Sequence, residues 1–214
     1  MLEPLREQVA RASRRLAAEG LVLGTAGNLS ARDGERVAIT PTGAQLAELA
    51  AEQVSVVDLE GRLLDGGYEP TSESDLHLGV YRRYDAGAVV HTHSPMATAL
   101  ACVLDELPCV HYQMLMLGGP VRVARYETFG TPALAESVLD ALEDRSAALM
   151  ANHGALAHGA DLAGAVEATL LLEWACTVYW RAAALGSPRS LDEEQRADVV
   201  RAAGRRRYGS MHAT

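Results

Sequence analysis

The chain has 214 residues, 49% apolar and 22% charged, which suffices for one well-buried domain of ordinary globular make-up. A formal charge of −9 and a pI near 5.2 exclude a general binder of nucleic-acid phosphates. No apolar run reads as a bilayer span, residues 1–30 lack a signal-peptide layout, and Cys102, Cys109 and Cys176 are scattered, so a cytoplasmic protein off the membrane is expected.

Leu5, Val9, Ala12 and Leu16 recur at helical spacing after Pro4, and Gly20 ends the run, so an amphipathic helix opens the chain. RVAIT (36–40) and SVVDL (55–59) read as strands, with EGR turning the chain into Leu63-Leu64. In TSESDLHLGVYRRY, Ser72 and Asp75 have capping-box spacing and predict a helix over 73–84. AVVHT (88–92) is a strand, and Ser94-Pro95 after it supplies an N-cap with proline at the first helical position.

Past the loop LGGP (117–120), TPALAESVLDAL (131–142) predicts a helix, AALMA (147–151) a strand, and Asn152-His153-Gly154 a turn. From Asp161 to about Leu185 the pattern is apolar and free of proline, which predicts one long helix. SPRS (187–190) separates it from a final helix in LDEEQRADVVRAAGRRR. Strands and helices alternate irregularly with no repeat or linker. This predicts one α/β domain over 1–214 with a mixed sheet, residues 187–214 forming its C-terminal helix and tail.

His91 and His93 are two apart at the end of the strand 88–92, so their imidazoles turn to one face. His153 follows the strand 147–151, and side chains at the ends of strands spaced about 4.8 Å apart can meet on one edge of a sheet. Three imidazoles with a fourth position open form the catalytic zinc arrangement, which cobalt, nickel or manganese can also occupy. The same spacing also describes polar side chains satisfied by hydrogen bonds at strand ends, and both readings stay open at this level. Glu73 and His77, four apart on one helix face, form a rival chelating pair. Nothing nearby completes that pair, so His77 is expected at the surface or in helix packing. Gly27-Asn28, Thr42-Gly43 and Thr71-Ser72 offer N–H and hydroxyl donors able to hold a phosphate without Lys or Arg, although each also reads as a plain turn.

GTAGNLS (24–30), TPTG (40–43), PTSES (70–74), VVHTHSP (89–95) and NHG (152–154) occur in an order in which the chain resembles class II aldolases of the L-fuculose-1-phosphate aldolase type. The resemblance runs over nearly the whole chain, with one departure: relatives carry Ser-Ser where this chain has Thr71-Ser72. It implies a three-layer α/β/α sandwich around a central mixed, largely antiparallel sheet. It implies a zinc ion held by His91, His93 and His153, with Glu73 beside it as acid and base. Gly27, Asn28, Thr42, Gly43, Thr71 and Ser72 become the phosphate site. Tyr112 and Tyr208 become tyrosines that reach an active site built largely by a neighbouring subunit, in a homo-oligomer that is typically a tetramer.

The activity so implied is reversible cleavage of a ketose 1-phosphate between C3 and C4, giving dihydroxyacetone phosphate and a short aldehyde. L-lactaldehyde, from L-fuculose 1-phosphate, is the first expectation for that aldehyde. Acetaldehyde from a 5-deoxypentulose 1-phosphate and glycolaldehyde are the others. The same fold hosts a sugar-phosphate 4-epimerase, a methylthioribulose-phosphate dehydratase and the adducin head. The epimerase tends to carry aspartate at the position of Glu73, and the adducin head, a scaffold, is not expected to hold the zinc; the dehydratase keeps a glutamate.

Overall fold

In the computed structural model, which describes residues 2–206, the apolar run Ala88–Val90 becomes the middle of a nine-stranded sheet. Its strands are β1 (Asn28–Asp33), β2 (Arg36–Ile39), β3 (Ser55–Asp58), β4 (Leu63–Asp65), β5 (Ala88–Thr92), β6 (Glu106–Leu107), β7 (Val121–Ala124), β8 (Ala147–Met150) and β9 (Gly154–Gly159). They lie in the order β4-β3-β2-β1-β5-β9-β8-β7-β6. Neighbours run antiparallel except β7 and β8, so the sheet is mixed and largely antiparallel.

The helices are α1 (Leu2–Ala18), α2 (Ser74–Arg83), α3 (Pro95–Ala101), α4 (Pro132–Ala141), α5 (Leu162–Leu185) and α6 (Glu193–Arg206). Leu76, Val80, Leu134 and Val138 of α2 and α4 bury one face of the sheet; Val9, Leu16, Ala97, Ala165 and Leu172 of α1, α3 and α5 bury the other. This is the three-layer α/β/α sandwich. Strand alternation decides what each layer sees. Val89 packs with α2 and α4, whereas Ala88 and Val90 pack with α1 and α5. His91 shares the parity of Val89 and is therefore aimed at the α2 layer.

The structure corrects several expectations. Helix α2 starts at Ser74, and Glu73 stands at its N-cap with no side-chain capping bond, so the Ser72–Asp75 box does not form. The turn is tied instead by the Ser74 hydroxyl donating to the Thr71 carbonyl at 2.5 Å and the Glu73 N–H donating to Thr71 Oγ1 at 3.3 Å. Ser94 is the N-cap residue of α3 with Pro95 behind it, but its hydroxyl makes no cap bond. β1, β6, β7 and β9 carry no long β-branched run and escaped the pattern reading. Helix α5 is long and apolar enough, by length and composition, to cross a bilayer, against the expectation that no run is. It lies across β5, β8 and β9 with Ala165, Val166, Leu172 and Cys176 buried, so its inner face belongs to the core.

Candidate metal centre

Pairing of β5 with β1 and β9 sets Asn28 opposite His91 and His91 opposite Leu156. His91 is fully buried on β5, and His93 follows two residues on, just past the strand end. His153 sits in the tight turn between β8 and β9, where Asn152 takes φ 54°, a left-handed conformation that asparagine tolerates. At Gly154 a Cβ would lie 2.3 Å from the Thr92 carbonyl oxygen and 3.2 Å from His93 Cδ2, so glycine is what lets this turn close on β5. The outcome is a trio of imidazoles whose ring centroids are 4.9 Å apart in every pair, with donor nitrogens all within 4.8 Å of one another.

Hydrogen bonding assigns the lone pairs. His91 Nδ1 lies 2.9 Å from the Ala155 carbonyl oxygen, which only accepts, so Nδ1 carries a hydrogen and, in the neutral ring, Nε2 is the bare nitrogen. That bare nitrogen faces His93 Nε2 at 3.0 Å and Glu73 Oε2 at 3.3 Å. Glu73 Oε1 lies 3.6 Å from His153 Nε2 and has no hydrogen-bond partner among the described residues. Electron-rich atoms from four side chains thus converge on one point, an arrangement that suits a divalent cation and fits the donor chemistry of a transition metal. Burial, and after it the neighbouring His91, lowers the His93 and His153 imidazoles to a pKa of about 4, so both are neutral donors at neutral pH.

Glu73 is only 7% exposed. Burial alone would raise its pKa. The proximity of His91, the Asn28 hydrogen bond and His153 outweigh that effect and hold the carboxyl below its ordinary range. Asn28 Nδ2 donates to Glu73 Oε2 at 2.8 Å. Behind it, His77 Nε2 is 2.5 Å from Asn28 Oδ1, and His77 Nδ1 is 2.7 Å from Ser30 Oγ. His77 is therefore not a surface residue: it is 0% exposed. Both its nitrogens are engaged on the β1 side, so it does not chelate with Glu73.

A cleft of about 260 Å³ opens beside the histidines and is lined by Gly27, Asn28, Thr42, Gly43, Thr71, Ser72, Glu73, His93 and His153. The two turns that carry the threonines are laced together: the Thr42 N–H donates to the Glu69 carbonyl at 2.9 Å and the Thr71 N–H to the Thr40 carbonyl at 3.0 Å. Thr25, Tyr126, Phe129 and Asn152 also line the cleft and were not singled out from the sequence. Tyr126 and Phe129 are exposed aromatics in the loop before Gly130, and that exposure has no signature in a lone sequence. Tyr112 does not line this cleft; it stands half-exposed in the 3₁₀ turn Tyr112–Leu117, its ring 4.5 Å from that of His111, which in turn meets Trp174 at 4.8 Å. Tyr208 lies outside the described residues.

Comparison with known proteins bears on this geometry. The family described as Class II Aldolase and Adducin N-terminal domain matches residues 7–180. The chain is 36% identical over 204 residues to a 5-deoxy-D-ribulose 1-phosphate aldolase of Bacillus thuringiensis serovar kurstaki, covering 94% of this chain and 96% of that protein. It is 40% identical over 198 residues to a 5-methylthioribulose-1-phosphate/5-deoxyribulose-1-phosphate aldolase of Rhodospirillum rubrum, covering 92% and 89%. Among solved structures, an L-fuculose 1-phosphate aldolase superposes with a TM-score of 0.90 at 34% identity, over 94% of this chain and 96% of the other.

Proposed function

Since the chain belongs to the class II aldolase and adducin N-terminal domain family, whose metal-dependent aldolases are carbon–carbon lyases acting on phosphorylated sugars, we propose that it is a zinc-dependent aldolase of a 5-deoxypentulose 1-phosphate. It splits this ketose between C3 and C4 into dihydroxyacetone phosphate and acetaldehyde, and the reverse condensation uses the same groups. The preference over L-lactaldehyde rests on the two relatives named for 5-deoxyribulose 1-phosphate, which are 36% and 40% identical to this chain against 34% for the L-fuculose 1-phosphate aldolase structure. The aromatic rings of Phe129 and Tyr126, which line the cleft, suit the methyl group that acetaldehyde and L-lactaldehyde share and glycolaldehyde lacks. An apolar pocket rejects neither an added methylene, at about 1–3 kcal/mol, nor an added hydroxyl strongly, so L-lactaldehyde, larger by one CHOH group, is turned over too, more slowly.

The observation that carries this reading is the convergence of Glu73 with three imidazoles at one end of a cleft whose other walls are the turns at Gly27, Thr42-Gly43 and Thr71-Ser72. In this reading His91, His93 and His153 hold the zinc, which when bound supplies Lewis-acid stabilisation of the negative charge that cleavage leaves on the sugar oxygens. N–H and hydroxyl groups of the turns, including those of Gly27, Asn28, Thr42, Gly43, Thr71 and Ser72, bind the phosphate through dipoles. Glu73, held as a carboxylate, removes the C3 proton of dihydroxyacetone phosphate in condensation and returns it in cleavage. Tyr112 of the partner subunit takes the C4 hydroxyl proton in cleavage, with Tyr208 closing the same site. General acid–base groups of this kind contribute about 100- to 10,000-fold each. The active unit is then a homo-oligomer, a tetramer by our reading, in which 1–214 forms one domain per subunit. Three free cysteines suit a cytoplasmic setting.

The test offers the purified protein dihydroxyacetone phosphate with acetaldehyde, L-lactaldehyde or glycolaldehyde, with and without chelator. Chelator-sensitive condensation, fastest with acetaldehyde, is the expected result. Dehydration of methylthioribulose 1-phosphate without carbon–carbon cleavage would overturn it.

A further inference from the structure

A second polar system lies behind the metal centre, reaching from Tyr81 on α2 through Ser30 on β1 to Asn28 and Glu73. The Tyr81 hydroxyl and Ser30 Oγ are 2.7 Å apart, Ser30 Oγ and His77 Nδ1 2.7 Å, His77 Nε2 and Asn28 Oδ1 2.5 Å, and Asn28 Nδ2 and Glu73 Oε2 2.8 Å. Tyr81, Ser30, Asn28 and Glu73 are buried, and His77 is wholly so.

Donor and acceptor chemistry orients every link. The Glu73 carboxylate only accepts, so Asn28 must present its NH₂ to it and its carbonyl oxygen to His77. His77 Nε2 must then carry a hydrogen. Burial, followed by the neighbouring His91, lowers this imidazole to a pKa of about 3, so it is neutral and its Nδ1 is bare. Ser30 therefore donates to Nδ1, and Tyr81 donates to Ser30. All the bonds point one way, toward Oε2 of Glu73.

An amide does not pass a proton along readily, so this chain holds rather than conducts. Its effect is to make the two carboxylate oxygens unequal: Oε2 is held by Asn28, whereas Oε1 is buried without a hydrogen-bond partner among the described residues. We propose that His77 is a positioning residue that, locked by Ser30 and Tyr81, fixes the Asn28 carboxamide so that Glu73 is held through Oε2 and left with Oε1 as the oxygen that exchanges the substrate proton. The proposal rests on the reading of Glu73 as the acid–base group.

The experiment is a double-mutant cycle on the zinc-loaded protein, read as exchange of the C3 hydrogen of dihydroxyacetone phosphate with deuterated solvent. His77→Leu slows exchange about 10-fold or more, the effect of about 1.4 kcal/mol or more from one lost buried hydrogen bond, with KM changed less than about 2-fold and zinc content intact. In an Asn28→Ala background the same substitution costs less than about 2-fold, because its effect runs through that amide. His77→Gln, which offers a donor and an acceptor, recovers most of the loss. Ser30→Ala deletes one oxygen and leaves the ring in place; it repeats the pattern in a smaller form should the leucine variant not fold. Multiplicative effects of His77 and Asn28 would overturn the proposal, as would a ¹⁵N spectrum of the metal-free protein showing His77 protonated at Nδ1. Fast exchange in Glu73→Gln would instead sink the underlying role of Glu73, so the two failures are distinct.

Discussion

The Glu173 carboxylate accepts the backbone N–H of Ala97 at 2.9 Å with one oxygen, and with the other takes the N–H of Met96 at 2.9 Å. A side chain from the middle of α5 thus caps α3, the helix that begins two residues after His93, and does so where Ser94 makes no capping bond. A negative charge at a helix N-terminus also interacts favourably with the positive end of the helix dipole.

Glu173→Ala should therefore destabilise the metal-free protein by about 1–2 kcal/mol. Urea denaturation of the two proteins measures the difference. An unchanged midpoint would show that solvent caps α3 equally well.

Gly154→Ala should be costlier. The added methyl meets the backbone carbonyl of Thr92, which is tied into the β5–β9 ladder, as well as the His93 ring. Relief requires separating the two strands that set the histidines, at about 1–3 kcal/mol for such overpacking. Zinc affinity should fall along with thermal stability, and isothermal titration of the metal-free variant separates the two effects.

How much of this was legible beforehand depends on where each residue's partners lie. Ala88–Thr92 was readable because a buried central strand needs a continuous apolar run, and the two-residue spacing of His91 and His93 follows from strand geometry alone. β1 was not readable, because Ser30 points inward to serve His77 and breaks the alternation expected of a half-buried strand. β9, GALAHG, is built of small residues whose use is close approach, as at Gly154. The helix start at Ser72 misled for a related reason: Glu73 has the place of a capping residue but turns its carboxylate to the imidazoles. His77 gave no local sign, since Ser30 and Asn28 stand 47 and 49 positions away in the chain.

Acid should act on the metal-free protein partly through His77. Its imidazole has an ordinary pKa of 6.5 and about 3 when buried in the fold, so between those values the unfolded chain binds the extra proton. Above pH 6.5 both states are neutral there and the group has no effect. As pH falls from 6.5 toward 3, stability drops by up to about 1.4 kcal/mol per unit from this residue alone. His77→Gln should flatten that dependence, which urea melts across pH 7 to 4.5 would record. An unchanged slope would mean that His77 takes up its proton equally in the folded and the unfolded chain.

The metal centre and its carboxylate should separate under mutation. His93→Ala removes a donor 3.0 Å from His91 Nε2 and leaves two imidazoles of the three, so bound zinc and turnover fall together. Glu73→Gln keeps the imidazole trio and the shape of the side chain but loses the basic oxygen. It should retain zinc while exchange of the C3 hydrogen of dihydroxyacetone phosphate slows about 100-fold or more. Metal analysis and solvent-deuterium exchange on the same samples distinguish the two substitutions. Zinc lost in the Glu73 variant as fully as in the His93 variant would make the carboxylate a ligand first and a base second, because only a ligand's loss empties the site.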